Sequence, residues 1–170
     1  MINSQINILA QAKSYLHSVT STQYRAVISP LFISSAGQHI RHILDHYIAI
    51  KEAIHSGTIN YDKRSRGGTI ETDIDAAMAQ LDEIEEFLLS LSKIQLQQTI
   101  QLSTEVSVEK KQVEVVDTTL ARELIFVGSH AIHHFAMIGQ ISKAQKLTIP
   151  EQFGIAPATA TFMRDEQCAP

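Results

Sequence analysis

The chain has 170 residues, 44% of them hydrophobic, which is enough for one compact core and too little for two comfortable domains. Its net charge of -4 and its scattered basic residues argue against a surface that binds nucleic acid. The single cysteine, Cys168, excludes an intrachain disulfide and a cysteine-based zinc site. We therefore predict a single domain over residues 1–170 in a reducing, cytoplasmic compartment.

Apolar residues at helical spacing predict four long helices, and no stretch reads as a signal peptide or a membrane span. The second helix starts at a Ser34 or Ser35 cap and stops at Gly57. The third starts at Thr72 or Asp73, and the fourth starts at Asp117, Thr118 and Thr119. The four segments cover residues 2–22, 35–56, about 73–91 and about 117–146.

The hydrophobic period changes between the third and fourth helices. Apolar residues from Ile94 to Val115 recur at spacings of two and four, which predicts a β-hairpin turning near Lys110. The tail contains Pro150 and Pro157 and is predicted to form only one short helical turn. The predicted fold class is therefore mostly α, a four-helix bundle with a β-hairpin inserted before the last long helix.

Six of the eight histidines fall in two clusters, one on the second predicted helix and one on the fourth. The first cluster forms a single stripe about 60° wide on its helix. His130 and His134 lie about 40° apart on the fourth helix, a spacing that suits chelation of one ion with a third ligand from a neighbouring helix. A pairing of His130 with His133 is sterically possible too. A buried histidine network and a pH switch are alternatives to a metal site. The first cluster consists of His39, His42 and His46.

Two segments containing these histidines, GQHIRHILDHY (37–47) and RELIFVGSHAIHHFAMI (122–138), resemble the DinB-like family of metal-binding helical bundles. This family is grouped with bacillithiol transferases and is unrelated to the DNA polymerase of the same name. The YDKRSR loop (61–66) and the FGIAPAT tail (153–159) extend the resemblance over nearly the whole chain. The resemblance implies a DinB-like helical bundle that holds a divalent metal ion.

The resemblance also implies which histidines bind the ion. His42, followed by two apolar residues and Asp45, matches the family's setting on the second helix, and His130 with His134 matches its pair on the last helix. Three neutral imidazoles suit zinc, nickel and iron alike, and they leave positions open for water or substrate. Characterised relatives use a low-molecular-weight thiol, which implies a metal-dependent, thiol-assisted transferase or isomerase that acts on a small electrophile.

A second function stays open beside the enzyme. If His39, His46 or His133 supplied a fourth ligand, the site would be closed, and the chain would be a non-catalytic or stress-associated metal-binding bundle. The resemblance and the apolar first helix also predict a homodimer. Neither function predicts a nucleic-acid or membrane partner.

Four further residues are weaker candidates for the site. Glu123 lies seven residues before His130 on the same helix face, which makes it a candidate for orienting a ligand. Asp45 is a candidate for the same role or for an acid-base group, and it could equally orient a neighbouring loop. Arg64 and Arg66 lie in a glycine-bearing loop and could hold a carboxylate, although salt bridges to Asp62 or Glu71 are the commoner explanation for such residues.

Overall fold

A computed structural model describes residues 1–63 and 66–167 of the chain. Most of these residues are helical, and a small three-stranded sheet precedes the last long helix. A 3-10 turn at Thr69–Glu71 precedes the helix that begins at Ile74. The elements are α1 Ile2–His17, α2 Ser21–Arg25, α3 Ala36–Ser56, β1 Thr58–Asn60, α4 Ile74–Ser90, α5 Lys93–Leu96, β2 Thr99–Glu105, β3 Val113–Thr119, α6 Leu120–Ala144 and α7 Pro157–Gln167.

Four long helices form the core of the molecule. Helix α3 packs against α4 and α6, and α1 packs against the same two helices from the other side, so each helix has two long neighbours. Their apolar faces meet in one cluster, because amphipathic helices are stable in water only when that face is covered. Each helix contributes a side chain with no exposed surface, for example Tyr15, Leu44, Ile84 and Phe135.

Local capping chemistry sets the ends of these helices. The Ser35 hydroxyl accepts from the Gln38 amide at 3.2 Å, and the Gln38 side chain accepts from the Ser35 amide at 2.9 Å, which is a capping box. Helix α3 ends at Gly57, whose φ of 73° suits a glycine C-cap. Asp73 caps α4 through the amide of Asp75 at 2.9 Å. The predicted starts of these helices are confirmed.

The predicted hairpin is confirmed and is part of a larger sheet, but its first strand begins at Thr99. Ile94 and Leu96, which the period placed in the strand, lie in the short helix α5, which a Ser92 cap begins. Strands β2 and β3 pair antiparallel, with Leu102 opposite Val116. Strand β1 pairs parallel with β2, so the sheet order is β1-β2-β3. Because β1 follows α3 after a single glycine, it ties the hairpin to the end of that helix.

The two ends of the chain differ from the prediction. Helix α1 stops at His17, and a separate short helix begins after Thr20, whose hydroxyl accepts from the Gln23 amide at 3.3 Å. This second capping box starts a new helix where the periodicity predicted a continuous one. The tail forms the eleven-residue helix α7, so the prediction of one short turn was wrong. Pro157 stands at its first position, where proline is tolerated because that amide has no helical partner.

Among the described helices, α6 is long and apolar enough to cross a membrane by length and hydropathy. Half of the most apolar 18-residue segment of α6 is buried inside the protein. The central helix of a bundle passes the same test, so this property alone is weak evidence for a membrane span.

A substitution at Gly37 tests the packing of the 3-10 turn against α3. A Cβ at this position would lie 2.0 Å from the carbonyl oxygen of Glu71. We expect Gly37→Ala to lower the free energy of unfolding by about 1–3 kcal/mol, although alanine favours a helix by about 1 kcal/mol. The measurement is urea unfolding followed by circular dichroism. The matched control is Gly139→Ala in α6, where the Cβ meets only the flexible end of Ile149 at 3.3 Å. Equal losses in both variants would contradict the argument.

Candidate metal centre

Four histidine rings meet where α3 packs against α6. His42 and His46 lie one turn apart on α3, and His130 and His134 lie one turn apart on α6. Adjacent ring centroids are 4.5 to 5.1 Å apart. His46 is buried and the other three rings are half-buried, so the cluster lies near the surface of the bundle.

Two of the sequence-predicted ligands, His42 and His134, each place Nε2 next to Nε2 of the third, His130. Nε2 of His130 is 3.0 Å from Nε2 of His42 and 3.1 Å from Nε2 of His134. One nitrogen from each of His42, His46 and His130 also lies within 4.8 Å of the others. The structure therefore brings the three predicted ligands together and adds His46, which the sequence offered only as a possible fourth ligand.

This donor set fits a divalent metal ion. A zinc ion binds imidazole nitrogen at about 2.0–2.1 Å, so two nitrogens at the tetrahedral angle lie about 3.3–3.4 Å apart. The observed separations differ from this value by only a few tenths of an ångström. Lone pairs that face one another at such distances repel unless a proton or a cation lies between them. Neutral imidazoles suit zinc, nickel and iron.

The surroundings keep His134 neutral and fix the orientation of His46. Burial, followed by the neighbouring His130 and His39, lowers the pKa of His134 to about 3, so this ring is an uncharged donor near neutral pH. Nδ1 of His46 donates to the carbonyl oxygen of His42 at 2.9 Å. The neutral ring of His46 then has its lone pair on Nε2.

The other two histidines of the clusters lie at the edge of the centre. Nδ1 of His39 is 2.8 Å from Nδ1 of His134, the ring nitrogen that points away from His130. Burial and the nearby His133 lower the pKa of His39. His133 is exposed, and its ring centroid is 5.5 Å from that of His134. Both rings therefore adjoin the centre through His134, and the His39 ring is the nearer, with a centroid distance of 5.0 Å.

Glu123 contacts the histidine cluster indirectly, through the side chain of Tyr61. Its carboxylate has no exposed surface and accepts from the hydroxyls of Tyr61 and Thr118 and from the guanidinium of Arg122, each at 2.7 Å. Tyr61 stacks on His46 with a centroid distance of 4.8 Å. Burial, followed by the bond to Glu123, raises the pKa of Tyr61, which keeps its hydroxyl protonated and donating.

Asp45 is buried in an ion pair with Arg41 on the same helix. The Nε atom of Arg41 also lies 2.7 Å from the carboxylate of Glu71, in the 3-10 turn before α4. Asp45 therefore belongs to the ion-pair network that joins this turn to α3, and its role toward the metal site stays a prediction.

The predicted anion site lies partly outside the described residues. Arg64 is not among them, and Arg66 is exposed. The two acids considered as partners for these arginines have contacts of their own. Asp62 accepts from the Glu105 amide at 2.7 Å, and Glu71 pairs with Arg41. The role of the two arginines in anion binding stays a prediction.

Two aromatic residues beside the cluster were not among the predicted site residues. Phe126 stacks on His130 with centroids 5.7 Å apart and an interplanar angle of 19°. It precedes His130 by four residues, and this helical spacing could have identified it. Tyr61 is remote in sequence from all the histidines, and only its position in the YDKRSR motif pointed to it.

A solved structure has a similar fold. The crystal structure of YjoA, a DinB-like protein from Bacillus subtilis, superposes with a TM-score of 0.66 over 89% of this chain and 96% of that protein. The two sequences are 17% identical, so the likeness concerns the fold. This chain therefore has the DinB-like fold that its motifs predicted, with a histidine cluster that could hold a metal ion between two of its helices.

The comparison with curated sequences is narrower. The chain is 32% identical over 108 residues to FK506-binding protein 5 from the fungus Rhizopus delemar. The match covers 64% of this chain and 28% of the fungal protein, so the chain corresponds to a little more than a quarter of that relative. No protein-family model matches the chain.

Alanine substitutions test which histidines bind the ion. We expect His42→Ala, His130→Ala and His134→Ala each to lower the bound metal from about one ion per chain to about a tenth or less, because each removes one of three nitrogen ligands. Elemental analysis of the dialysed proteins measures this content. His133→Ala is the matched control, since this exposed ring is next to His134 but is not one of the four central rings. Loss of metal from the His133 variant and retention by the His134 variant would contradict the assignment.

A second pair of variants tests the hydrogen bond that supports the cluster. Tyr61→Phe removes the hydroxyl that donates to the buried carboxylate of Glu123, and we expect a loss of about 1.5–3 kcal/mol in unfolding free energy. Tyr47→Phe removes a bond of 2.8 Å to the neutral side chain of Gln5 and should cost about 0.5–1.5 kcal/mol. Thermal and urea unfolding measure both variants. A larger loss in the Tyr47 variant would contradict this ranking.

Proposed function

We propose that this chain binds a divalent metal ion at His42, His130 and His134 and promotes transfer of a small thiol to a small electrophile. The observation that carries the proposal is the position of Nε2 of His130, which lies 3.0 Å from Nε2 of His42 and 3.1 Å from Nε2 of His134. Three protein ligands with a further open position are the usual arrangement of catalytic zinc sites. The implied ion is zinc, nickel or iron.

The ion's chemical contribution, when it is bound, is to lower the pKa of a thiol so that the thiolate is available near neutral pH. The chain's part is to hold three neutral imidazoles in place at little cost in reorganisation, because their rings are already packed together. In the transfer, the thiol proton passes to solvent and a sulfur lone pair forms the bond to the electrophilic carbon. The leaving group departs with its bonding electrons.

The residues beside His130 are suited to contact a small organic molecule. Phe126 is 36% exposed and covers one face of the His130 ring. The guanidinium of Arg122 lies 5.4 Å from the centre of the Phe126 ring, and its side chain is 59% exposed. An apolar group of the substrate packs on Phe126 in this proposal. A carboxylate on the thiol or the electrophile would be bound by Arg122, or by the loop arginines Arg64 and Arg66.

A second candidate function rests on His46. Its ring lies 4.5 Å from the rings of both His42 and His130. If His46 supplied a fourth nitrogen, the ion would have no open position and would serve to hold α3 against α6. The chain would then be a non-catalytic metal-binding bundle.

Cobalt spectroscopy distinguishes the two functions. The protein is loaded with Co²⁺ and titrated separately with 2-mercaptoethanol and cysteine, and the absorption spectrum is recorded. We expect a new sulfur-to-cobalt charge-transfer band that saturates with thiol, because an open position accepts the sulfur. Conversion of a generic electrophile, 1-chloro-2,4-dinitrobenzene, with either thiol would then be measured on the same preparation.

The control variant is His46→Ala, which opens the fourth position if His46 occupies it. A thiol band in this variant and none in the wild-type protein would contradict the enzyme and favour the structural role. Equal bands in both proteins support an open site. The His130→Ala variant supplies the baseline, since it lacks a ligand required by both functions.

We also propose that the chain forms a homodimer in the cytoplasm and takes a small molecule as its partner. Support for the dimer comes from the resemblance and from the edge strand β3, where Val113, Val115 and Val116 are each about half exposed. An edge strand with exposed valines is suited to association with a second chain.

A further inference from the structure

A chain of polar contacts leads outward from the metal centre through His39. Nδ1 of His39 is 2.8 Å from Nδ1 of His134, and Nε2 of His39 is 2.9 Å from the hydroxyl oxygen of Ser34. The rings of His39 and His134 are 5.0 Å apart at an angle of 46°. All three residues are half-buried, and Ser34 belongs to the segment just before α3.

The proton positions in this chain follow from the nitrogen that faces the ion. If Nε2 of His134 presents its lone pair to the metal, the neutral ring has its proton on Nδ1. That N–H then donates to Nδ1 of His39. The proton of His39 must therefore be on Nε2, where it donates to the oxygen of Ser34. Each imidazole N–H of His134 and His39 then has one acceptor.

We propose that His39 is a positioning residue that fixes the tautomer and the ring orientation of His134. The inference rests on the proposed function, because it concerns the same metal site. Histidines that bind metals usually donate their second N–H to a carboxylate, a carbonyl or water. Here the acceptor is a second imidazole, which is itself held by a serine hydroxyl.

The geometry also separates this role from that of a metal ligand. His39 meets the outer nitrogen of His134, whereas His130 meets the inner one. Both nitrogens of His39 are engaged, one by His134 and one by Ser34. The buried His46 shows the same principle with a different acceptor, because its Nδ1 donates to a backbone carbonyl. The side chain of His39 thus accepts a hydrogen bond from His134, as the backbone carbonyl of His42 accepts one from His46.

Two substitutions at His39 test the role. His39→Leu removes the acceptor, whereas His39→Asn keeps a polar side-chain atom near the position of Nδ1. We expect the leucine variant to bind Zn²⁺ and Co²⁺ about 10–100-fold more weakly than the wild-type protein and to show altered ligand-field bands of Co²⁺. The asparagine variant should recover most of the affinity and the wild-type bands. Affinity is measured by competition with a chromophoric chelator.

Two controls separate positioning from folding. The unfolding temperature of each metal-free variant shows whether the bundle is intact, and the asparagine variant remains informative if the leucine variant does not fold. His133→Ala, which removes the other histidine ring beside His134, should leave affinity and spectrum unchanged. Ser34→Ala should weaken binding less than His39→Leu, because it removes only the outer contact.

The outcomes that overturn the role are specific. Wild-type affinity and spectrum in a folded His39→Leu variant would show that His134 needs no such partner. Equal weakness of the leucine and asparagine variants would show that the acceptor atom is not what matters. Loss of binding to the level of His130→Ala would make His39 a ligand. Failure of the wild-type protein to bind either ion would overturn the proposed function itself, and the role of His39 with it.

Discussion

The contact between α3 and α6 is the constraint on which the candidate centre depends. Each helix carries two histidines four residues apart, which places them about 6 Å apart along the axis and about 40° apart around it. Neither pair alone encloses an ion. When the two helices pack, the four rings approach to centroid distances of 4.5 to 5.1 Å. The relative position of two helices therefore determines whether four separate side chains form a site.

Packing several imidazoles together has an energetic cost that the surrounding residues offset. Partial burial removes water from polar rings, and this loss is unfavourable unless hydrogen bonds or a cation replace it. The Tyr61 and Glu123 pair supports His46 from one side, and Ser34 and His39 support His134 from another. The residues that surround the rings therefore restrict their orientation. A donor set arranged before the ion binds loses less entropy on binding.

The small sheet has a role in this arrangement as well as in closing the bundle. Strand β1 follows α3 directly, and its parallel pairing with β2 places Tyr61, the next residue after β1, against His46. Strand β3 runs into α6, so Thr118 near its end reaches Glu123 one turn into the helix. The hydroxyls of both residues meet at one buried carboxylate. The hairpin thus connects the two histidine-bearing helices through their shared supporting residues.

The sequence by itself determined the features that depend on local interactions. The four long helices, two of their caps to within one residue, and the hairpin could be predicted, because periodicity and capping act over a few residues. The break after His17 was missed because apolar periodicity was followed past the Thr20 to Gln23 capping box, which is itself a local signal. The length of α7 was missed because the two prolines of the tail argued against a longer helix.

Only the tertiary structure decided which histidines share a centre and what supports them. The angle between two histidines on one helix is given by the helical repeat, but the axial offset between helices is set by packing between segments about 90 residues apart. For this reason His39 and His46, both on the predicted stripe, could not be told apart from sequence, although one ring lies in the centre and the other at its edge. Tyr61 is brought to His46 by the parallel pairing of β1 with β2. This pairing involves three residues of each strand, which is too few to produce a recognisable periodicity in the sequence.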